Sequence, residues 1–233
     1  MATKQVVPGL FELSIGIVNV FLLKSPTGWA LIDAGFSNSA EQILTAFQQM
    51  GYPPTDIRHI LVTHAHPDHI GSLAALKRAT HATTYIHPFD ATIARTGAGF
   101  RPLTPAPGLV TQVLFRLFIR PAPPIEGSLI DQEITEGDVL PIAGGLTVVH
   151  TPGHCAGHSA FLWSEQRVLF VGDACSNLPR LGWSLGYENI QVGKQSLERL
   201  AKLEFEVACF NHGKTIRQDA ARLFRRRWLS PGR

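Results

Sequence analysis

The chain has 233 residues, of which 45% are apolar and 17% charged, and 21 Lys and Arg against 18 Asp and Glu give a formal net charge of +3. A high apolar fraction with so small a net charge excludes an intrinsically disordered chain. Glycine follows no three-residue period and no heptad is sustained, which excludes collagen-like and coiled-coil proteins. The small positive excess is not typical of nucleic-acid binding, so we expect no nucleic-acid partner.

Short apolar runs bounded by glycine and proline alternate with helical periodicity along the first half of the chain. These patterns predict strands at 10–13, 18–23, 29–32, 57–62 and 83–86. They also predict helices at 71–79 and 88–96, and one that ends near Met50 and is capped by Asn38 or Ser39.

The second half repeats this organisation. Strands are predicted at 146–150, 159–163, 167–171 and 206–210, with helices at 194–203 and 215–228. Two batches of strands, each followed by helices, favour an α+β fold in which two sheets pack together with helices outside. We expect one domain over residues 1–233.

The segment 97–127 interrupts this pattern with six prolines and an apolar stripe. The stripe comprises Leu109, Val110, Val113, Leu114, Leu117, Phe118 and Ile119. An apolar insertion bounded by proline and glycine is either a satellite core or a mobile cover over a pocket. We expect it to lie near the mouth of an active site.

The cysteines Cys155, Cys175 and Cys209 are odd in number and widely spaced. They form no disulfide framework, so we expect a reducing compartment and a cytoplasmic protein. The apolar run 13–23 lacks a basic leader and a cleavage site. The longest uncharged stretch contains prolines and glycines, so we expect no membrane span.

Four metal-ligand side chains lie within six residues, directly after the predicted strand at 57–62: His64, His66, Asp68 and His69. Imidazole and carboxylate suit zinc and similar divalent metals. On an extended backbone His64 and His66 point the same way and can share one ion. Asp68 and His69 follow Pro67, which redirects the chain, and can serve a second ion.

Three more candidate ligands each follow an apolar strand: His154, Asp173 and His212. Loops at strand ends gather into functional sites. We therefore expect these side chains to complete the two metal shells.

Five motifs now stand in order along the chain: Leu31-Ile32-Asp33-Ala34-Gly35, His64 to His69, Thr151-Pro152-Gly153-His154, Val171-Gly172-Asp173 and Asn211-His212-Gly213. In these motifs the chain resembles the metallo-β-lactamase-fold hydrolases over nearly its whole length. The resemblance is strongest to the glyoxalase-II-like branch. It implies a four-layer αββα sandwich.

The resemblance also implies the role of each ligand. The first metal would be held by His64, His66 and His154, and the second by Asp68, His69 and His212. Asp173 would bridge both, and Asp33 would lie behind the ligand loop and accept hydrogen bonds from it. We expect two Zn²⁺ per chain, although iron or manganese also suits such donors.

The activity implied is hydrolysis of an ester-like bond (thioester, lactone or lactam) in a small molecule by a hydroxide that bridges the metals. Asp68 would carry the proton as well as bind metal. The apolar insertion favours a substrate with an apolar acyl group, and a homodimer is the default assembly. The alternative is an oxidoreductase similar to the persulfide dioxygenases, which bind a single iron; metal stoichiometry separates the two.

Other polar residues are weaker candidates. His158 is expected to be structural or to support a ligand, and Cys155 and Cys175 to be small buried residues. Trp183, Tyr187 and Asn189 follow Asp173 in a glycine-rich loop, and we expect them to line the substrate cleft.

Overall fold

The structure, a computed structural model, describes residues 3–119 and 124–229. Its strands are β1 (Lys4–Val7), β2 (Leu10–Ile15), β3 (Val18–Ser25), β4 (Gly28–Ile32), β5 (Ile57–Leu61), β6 (Thr83–Ile86), β7 (Thr104–Pro105), β8 (Gln132–Glu133), β9 (Val139–Leu140), β10 (Leu146–His150), β11 (Ser159–Trp163), β12 (Val168–Gly172), β13 (Ser176–Asn177), β14 (Leu181–Gly182), β15 (Gly186–Tyr187) and β16 (Val207–Phe210). Its α-helices are α1 (Ala40–Gln49), α2 (Pro67–Ile70), α3 (Leu73–Thr80), α4 (Pro88–Thr96), α5 (Leu109–Phe118), α6 (Ile190–Leu200) and α7 (Ala220–Trp228).

Two sheets carry the architecture. The first has the strand order β1-β2-β3-β4-β5-β6-β8, and the second has the order β16-β12-β11-β10-β9. Strands β4, β5 and β6 run parallel to one another, as do β12 and β16. The carboxyl ends of parallel strands share one edge of a sheet, so the loops that follow these strands are brought together.

Three buried apolar clusters separate four layers. One packs the first sheet against α1, α3 and α4, one lies between the two sheets, and one packs the second sheet against α6 and α7. In the middle cluster the rings of Phe21 and Phe170 meet edge to face at 5.7 Å across the two sheets. The predicted αββα sandwich is therefore confirmed.

Strand β3 is apolar at every position from 20 to 23, and its packing explains why. Val20 and Leu22 face the helices outside the first sheet, whereas Phe21 and Leu23 face the second sheet. A strand buried on both faces has no polar side to display, which explains an uninterrupted apolar run.

Two predicted helices begin in the wrong place. Helix α6 begins at Ile190, not at 194, because the Asn189 side chain accepts hydrogen bonds from the backbone N–H groups of Gln191 and Val192, both at 3.1 Å, and caps it there. Helix α7 begins at Ala220, not at 215, because Ile216 is engaged in paired backbone hydrogen bonds with Ala208 at 2.9 Å.

Helix α1 begins after Ser39, one of the two predicted cap residues. Neither Asn38 nor Ser39 caps the helix with its side chain. Instead the Ser72 hydroxyl accepts hydrogen bonds from the N–H groups of Ser39 and Ala40, at 2.8 and 3.1 Å. The short helix α2, which the sequence patterns did not predict, begins at Pro67, a residue suited to the first helical position.

The insertion 97–127 enters and leaves the fold at one narrow neck; its residues 120–123 lie outside the described residues. The Ile125 N–H donates to the carbonyl of Gly97 at 3.0 Å. Gly97 has a φ of +69°, and a Cβ there would lie 2.0 Å from the Ile125 oxygen, so the neck requires glycine.

Helix α5 lies on the outside of the molecule, and none of its residues is buried. Its exposed apolar side chains are Leu109, Val110, Val113, Leu117 and Phe118. Across residues 3–119 and 124–229, no helix combines the length and apolar character needed to cross a membrane.

Candidate metal centre

The seven side chains predicted as ligands lie together at the edge where the parallel strands end. His64, His66, Asp68 and His69 follow β5, His154 lies between β10 and β11, Asp173 follows β12, and His212 follows β16. Five of them are buried, whereas Asp68 and His212 are half-buried and face the mouth of the site.

Three imidazoles converge in what we call the first half of the site, formed by His64, His66 and His154. The Nε2 atoms of His64 and His154 each lie 3.0 Å from Nδ1 of His66. Tetrahedral zinc with Zn–N bonds of about 2.05 Å would hold its nitrogens about 3.3 Å apart. The spacing therefore suits one shared ion.

The Nδ1 atoms of His64 and His154 point away from the cluster, and their hydrogen bonds fix the orientation of each ring. The Thr63 hydroxyl donates to Asp33 at 2.7 Å, so Nδ1–H of His64 must donate to that hydroxyl, at 3.0 Å. Nδ1–H of His154 donates to the Gly186 carbonyl at 2.8 Å. Both Nε2 lone pairs consequently point at the same place, an arrangement typical of metal-binding histidines.

The second half of the site is formed by Asp68, His69 and His212. Nε2 of His212 lies 3.1 Å from Oδ2 of Asp68, and Nε2 of His69 lies 3.7 Å from the same oxygen. Nδ1 of His69 contacts Asp33 at 3.0 Å, and Nδ1 of His212 contacts the Ile17 carbonyl at 3.0 Å. These rings too are held from behind and present Nε2.

Asp173 stands between the two halves. Its Oδ2 lies 3.7 Å from Nε2 of His154 and 3.3 Å from Nε2 of His212, and its Oδ1 lies 3.7 Å from Nε2 of His69. Neither that Oδ1 nor Nε2 of His69 has a hydrogen-bond partner among the described residues, although both atoms are buried. A cation between them would satisfy both.

The first half favours neutral imidazoles. Burial lowers the pKa of His64 and of His66 well below the usual value, and neighbouring imidazoles lower both further. Burial also lowers the pKa of His154. Metal ligands must be deprotonated, so these three rings are ready to bind at neutral pH.

In the second half, neighbouring carboxylates raise the pKa values of the imidazoles, the opposite of the change in the first half. Burial acts to lower the pKa of His69, but Asp68, Asp173 and Asp33 outweigh it and raise that pKa to about 9. For His212, Asp173 and Asp68 likewise overcome burial and raise the pKa to about 10. This half therefore attracts positive charge, which a divalent metal supplies, so the donor set fits a cation.

His158 supports the bridging position. Its Nε2 accepts a hydrogen bond from the Asp173 N–H at 2.8 Å, so its Nδ1–H donates to the Thr151 hydroxyl, at 2.7 Å. Gly172 leaves room for this ring, because a Cβ there would lie 2.5 Å from Nε2 of His158. The side chain thus holds the backbone of Asp173 with both ring nitrogens engaged, while its ring lies 5.1 Å from that of His64.

The predicted cleft lining after Asp173 is wrong in two of its three residues. Tyr187 is fully buried and donates its hydroxyl to the Ala174 carbonyl at 2.7 Å, and Asn189 caps α6. Trp183 is half-buried and packs on Tyr187 and Trp228. The residue that reaches the site is instead Phe100, in the insertion, whose ring lies 5.1 Å from that of His66.

The three cysteines Cys155, Cys175 and Cys209 are free and buried, as predicted for the first two. Burial raises the pKa of each thiol, so all three remain protonated. A protonated thiol is a poor metal ligand.

The sequence model described as "Metallo-beta-lactamase superfamily" matches residues 13–212. The chain belongs to this superfamily. A B3 metallo-beta-lactamase with an active-site glutamic acid has a similar structure, with a TM-score of 0.75 at 22% identity over 97% of this chain and 87% of that one. At that identity the similarity establishes the fold alone.

Relatives within the superfamily differ in how much of their length this chain covers. The probable metallo-hydrolase YflN of Bacillus subtilis is 27% identical over 94% of this chain and 90% of its own. The hydroxyacylglutathione hydrolase of Rhodopseudomonas palustris is 33% identical, but the match covers 58% of this chain and 39% of that enzyme. The N-acyl homoserine lactonase AttM of Agrobacterium fabrum is 25% identical over 62% and 59%.

Proposed function

We propose that this superfamily member is a hydrolase with two zinc ions, which cleaves an ester-like bond in a small molecule. The observation that carries the proposal is that four imidazoles present Nε2 to one cluster while Nδ1 of each is held from behind. His64, His66 and His154 would hold the first ion, Asp68, His69 and His212 the second, and Asp173 would bridge them.

Ions held by these residues would supply Lewis-acid chemistry, lowering the pKa of a water and polarising a carbonyl oxygen. The chain's own residues supply the rest of the chemistry. Asp68 lies at the mouth with its carboxylate beside His212, where it can take a proton from the attacking water and return it to the leaving group. His158 accepts a hydrogen bond from the backbone of Asp173, and Asp33 contacts the ring of His69. Both contacts hold candidate ligands in position.

The substrate class is narrowed by two observations. The named relatives act on a hydroxyacylglutathione and on an N-acyl homoserine lactone, which are acyl compounds. Phe100 and the exposed apolar side chains of α5 place apolar surface in the insertion that borders His66. We therefore favour an apolar acyl thioester or lactone, with the insertion as its cover, in a protein that works in the cytoplasm.

Elemental analysis of the purified chain, with thioester and lactone hydrolysis assayed on the same sample, tests the proposal. We expect about two zinc ions per chain and measurable turnover. One iron per chain, with oxygen uptake and no hydrolysis, would contradict the proposal and favour a persulfide-dioxygenase-like oxidoreductase.

The first variant to test is Asp68→Ala. Because it removes a ligand and the proton carrier together, we expect hydrolysis to fall by at least about 10³-fold and the second ion to bind more weakly. The melting temperature of the metal-free chain should change little, since Asp68 is half-buried at the mouth. Turnover like that of the wild type would refute the assigned mechanism.

A further inference from the structure

A second buried carboxylate, Asp90, lies behind the first half of the site and is not one of the seven candidate ligands. It stands in the first turn of α4 and is 1% exposed. Its Oδ2 accepts hydrogen bonds from the N–H of Ala65 at 2.9 Å and from the thiol of Cys155 at 3.2 Å. Its Oδ1 accepts from the N–H of Gly157 at 3.1 Å and is paired with the Arg101 guanidinium.

These contacts join loops that belong to different sheets. Ala65 lies between His64 and His66, after a strand of the first sheet, whereas Gly157 lies three residues after His154, between two strands of the second sheet. The contact at Gly157 is close, because a Cβ there would lie 2.5 Å from the Asp90 carboxylate. One side chain therefore bonds to both of the loops that supply the first three imidazoles.

Arg101 neutralises this carboxylate and extends the network. Its Nε donates to Glu188 at 2.6 Å, and the other oxygen of Glu188 accepts from the N–H of Ala156 at 2.9 Å. The N–H of Glu188 in turn donates to the carbonyl of His154 at 3.0 Å. Arg101 belongs to the insertion, so the insertion is linked through the side chains of Glu188 and Asp90 to the backbone that follows His154.

We propose that Asp90, neutralised by Arg101, is a positioning residue that holds the His64–His66 loop and the His154 loop at the separation that the first metal requires. The inference rests on the proposed metal-binding function of these histidines. A metal tolerates little change in the spacing of its ligands, so a carboxylate that spans both loops governs affinity without touching the ion.

The test measures metal affinity in Asp90→Asn by competition with a chromophoric chelator, with Zn²⁺ as the probe. The substitution keeps the shape but places an amide NH₂ against backbone N–H groups or Arg101. In a His212→Ala background, where only the first half is complete, we expect affinity to fall by about 10–100-fold. In a His154→Ala background, where only the second half is complete, we expect a change below about threefold.

Asp131→Asn is the matched control. Asp131 also accepts from a backbone N–H, that of Thr84 at 2.8 Å, and also pairs with a cation, Lys77, but it contacts none of the seven candidate ligands. The Asp131→Asn substitution should lower the melting temperature and leave the Zn²⁺ affinity of each half unchanged. Arg101→Lys is the second variant, should Asp90→Asn fail to fold. Lysine keeps the charge but cannot reach Asp90 and Glu188 together. We expect it to lower the Zn²⁺ affinity of the first half only, and by less than Asp90→Asn would.

The outcomes separate the two proposals. A wild-type chain that binds two ions, with Asp90→Asn binding the first as tightly or losing both equally, overturns the positioning role alone. Unchanged affinity in Arg101→Lys counts against the role of the network in the same way. A wild-type chain that binds two ions and hydrolyses nothing overturns the hydrolase alone, and one that binds no metal overturns both.

Discussion

The two halves of the site are held in place by different means. In the first half, three buried imidazoles stand on loops whose backbones are bonded to Asp90. In the second half, Asp33 contacts a ligand ring directly, through Nδ1 of His69 at 3.0 Å. The first half is thus defined by the distance between loops, and the second by the orientation of a ring.

This difference shows how far each supporting carboxylate reaches. Asp33 also accepts from the N–H and the hydroxyl of Thr63, at 2.8 and 2.7 Å, and that hydroxyl contacts His64. Asp33 therefore supports both halves, while Asp90 supports only the first. The backbone of Asp33 is left-handed, with a φ of +61°, and this conformation favours a small polar residue.

Among variants of the supporting residues, the largest effect is expected from Asp33→Asn, because both halves of the site depend on this carboxylate. Asparagine tolerates the left-handed backbone, so the change removes only one acceptor oxygen and the charge. We expect loss of the second ion, activity reduced by at least about 10²-fold, and a free energy of unfolding lower by about 3 kcal/mol. Urea unfolding and metal analysis measure these effects, and retention of two ions with near-normal activity would contradict them.

A smaller effect is expected from His158→Asn, which acts on Asp173, the residue that stands between the two halves. The Asp173 N–H loses its buried acceptor, so the free energy of unfolding should fall by about 1–3 kcal/mol, with activity lowered about tenfold, far less than in Asp68→Ala. His81→Asn is the control, because His81 is exposed and its left-handed backbone also suits asparagine. Equal effects of the two substitutions on activity would exclude a role for His158 at the site.

The smallest expected effect is a pH dependence of folding stability. It arises at His87, beside the helix that carries Asp90. Burial, followed by the stacked ring of His150, lowers the pKa of His87 to about 4. Between pH 6.5 and 4 only the unfolded chain takes up this proton, so stability falls as the pH falls through that window.

His87→Asn isolates this effect, because asparagine can also cap α4 by accepting from the Phe89 N–H. With allowance for solvent screening, the wild type should lose about 1 kcal/mol more than the variant between pH 6.5 and 5. Parallel stability curves for the two chains would contradict the assignment.

Strand positions followed from the sequence more closely than helix ends. The predicted bounds 83–86, 146–150 and 159–163 match β6, β10 and β11, because burial decides where an apolar strand lies. Helix ends depend on partners distant in sequence. Ser72 binds the first turn of α1 from 33 residues away, and no local pattern could indicate this.

The same reasoning applies to the site. The seven candidate ligands could be named because side chains that bind metal are of few types and recur at strand ends. Asp90 acts mainly through backbone N–H groups, and an acidic residue in the first turn of a helix is common for electrostatic reasons alone. Its position in the turn of helix that follows β6, at the same edge as the ligand loops, is the one signal that could have identified it.

The neck of the insertion has an evolutionary consequence. Because the chain departs near Gly97 and returns at Gly127, where a Cβ on Gly97 would lie only 3.0 Å from the Gly127 nitrogen, the intervening segment can lengthen, shorten or be exchanged without shifting any strand of either sheet. Recombination as well as point mutation can therefore vary this segment. The contacts that such an exchange would have to keep lie near its start: Phe100 and Arg101, which reach His66 and Asp90, and β7, which pairs with β15.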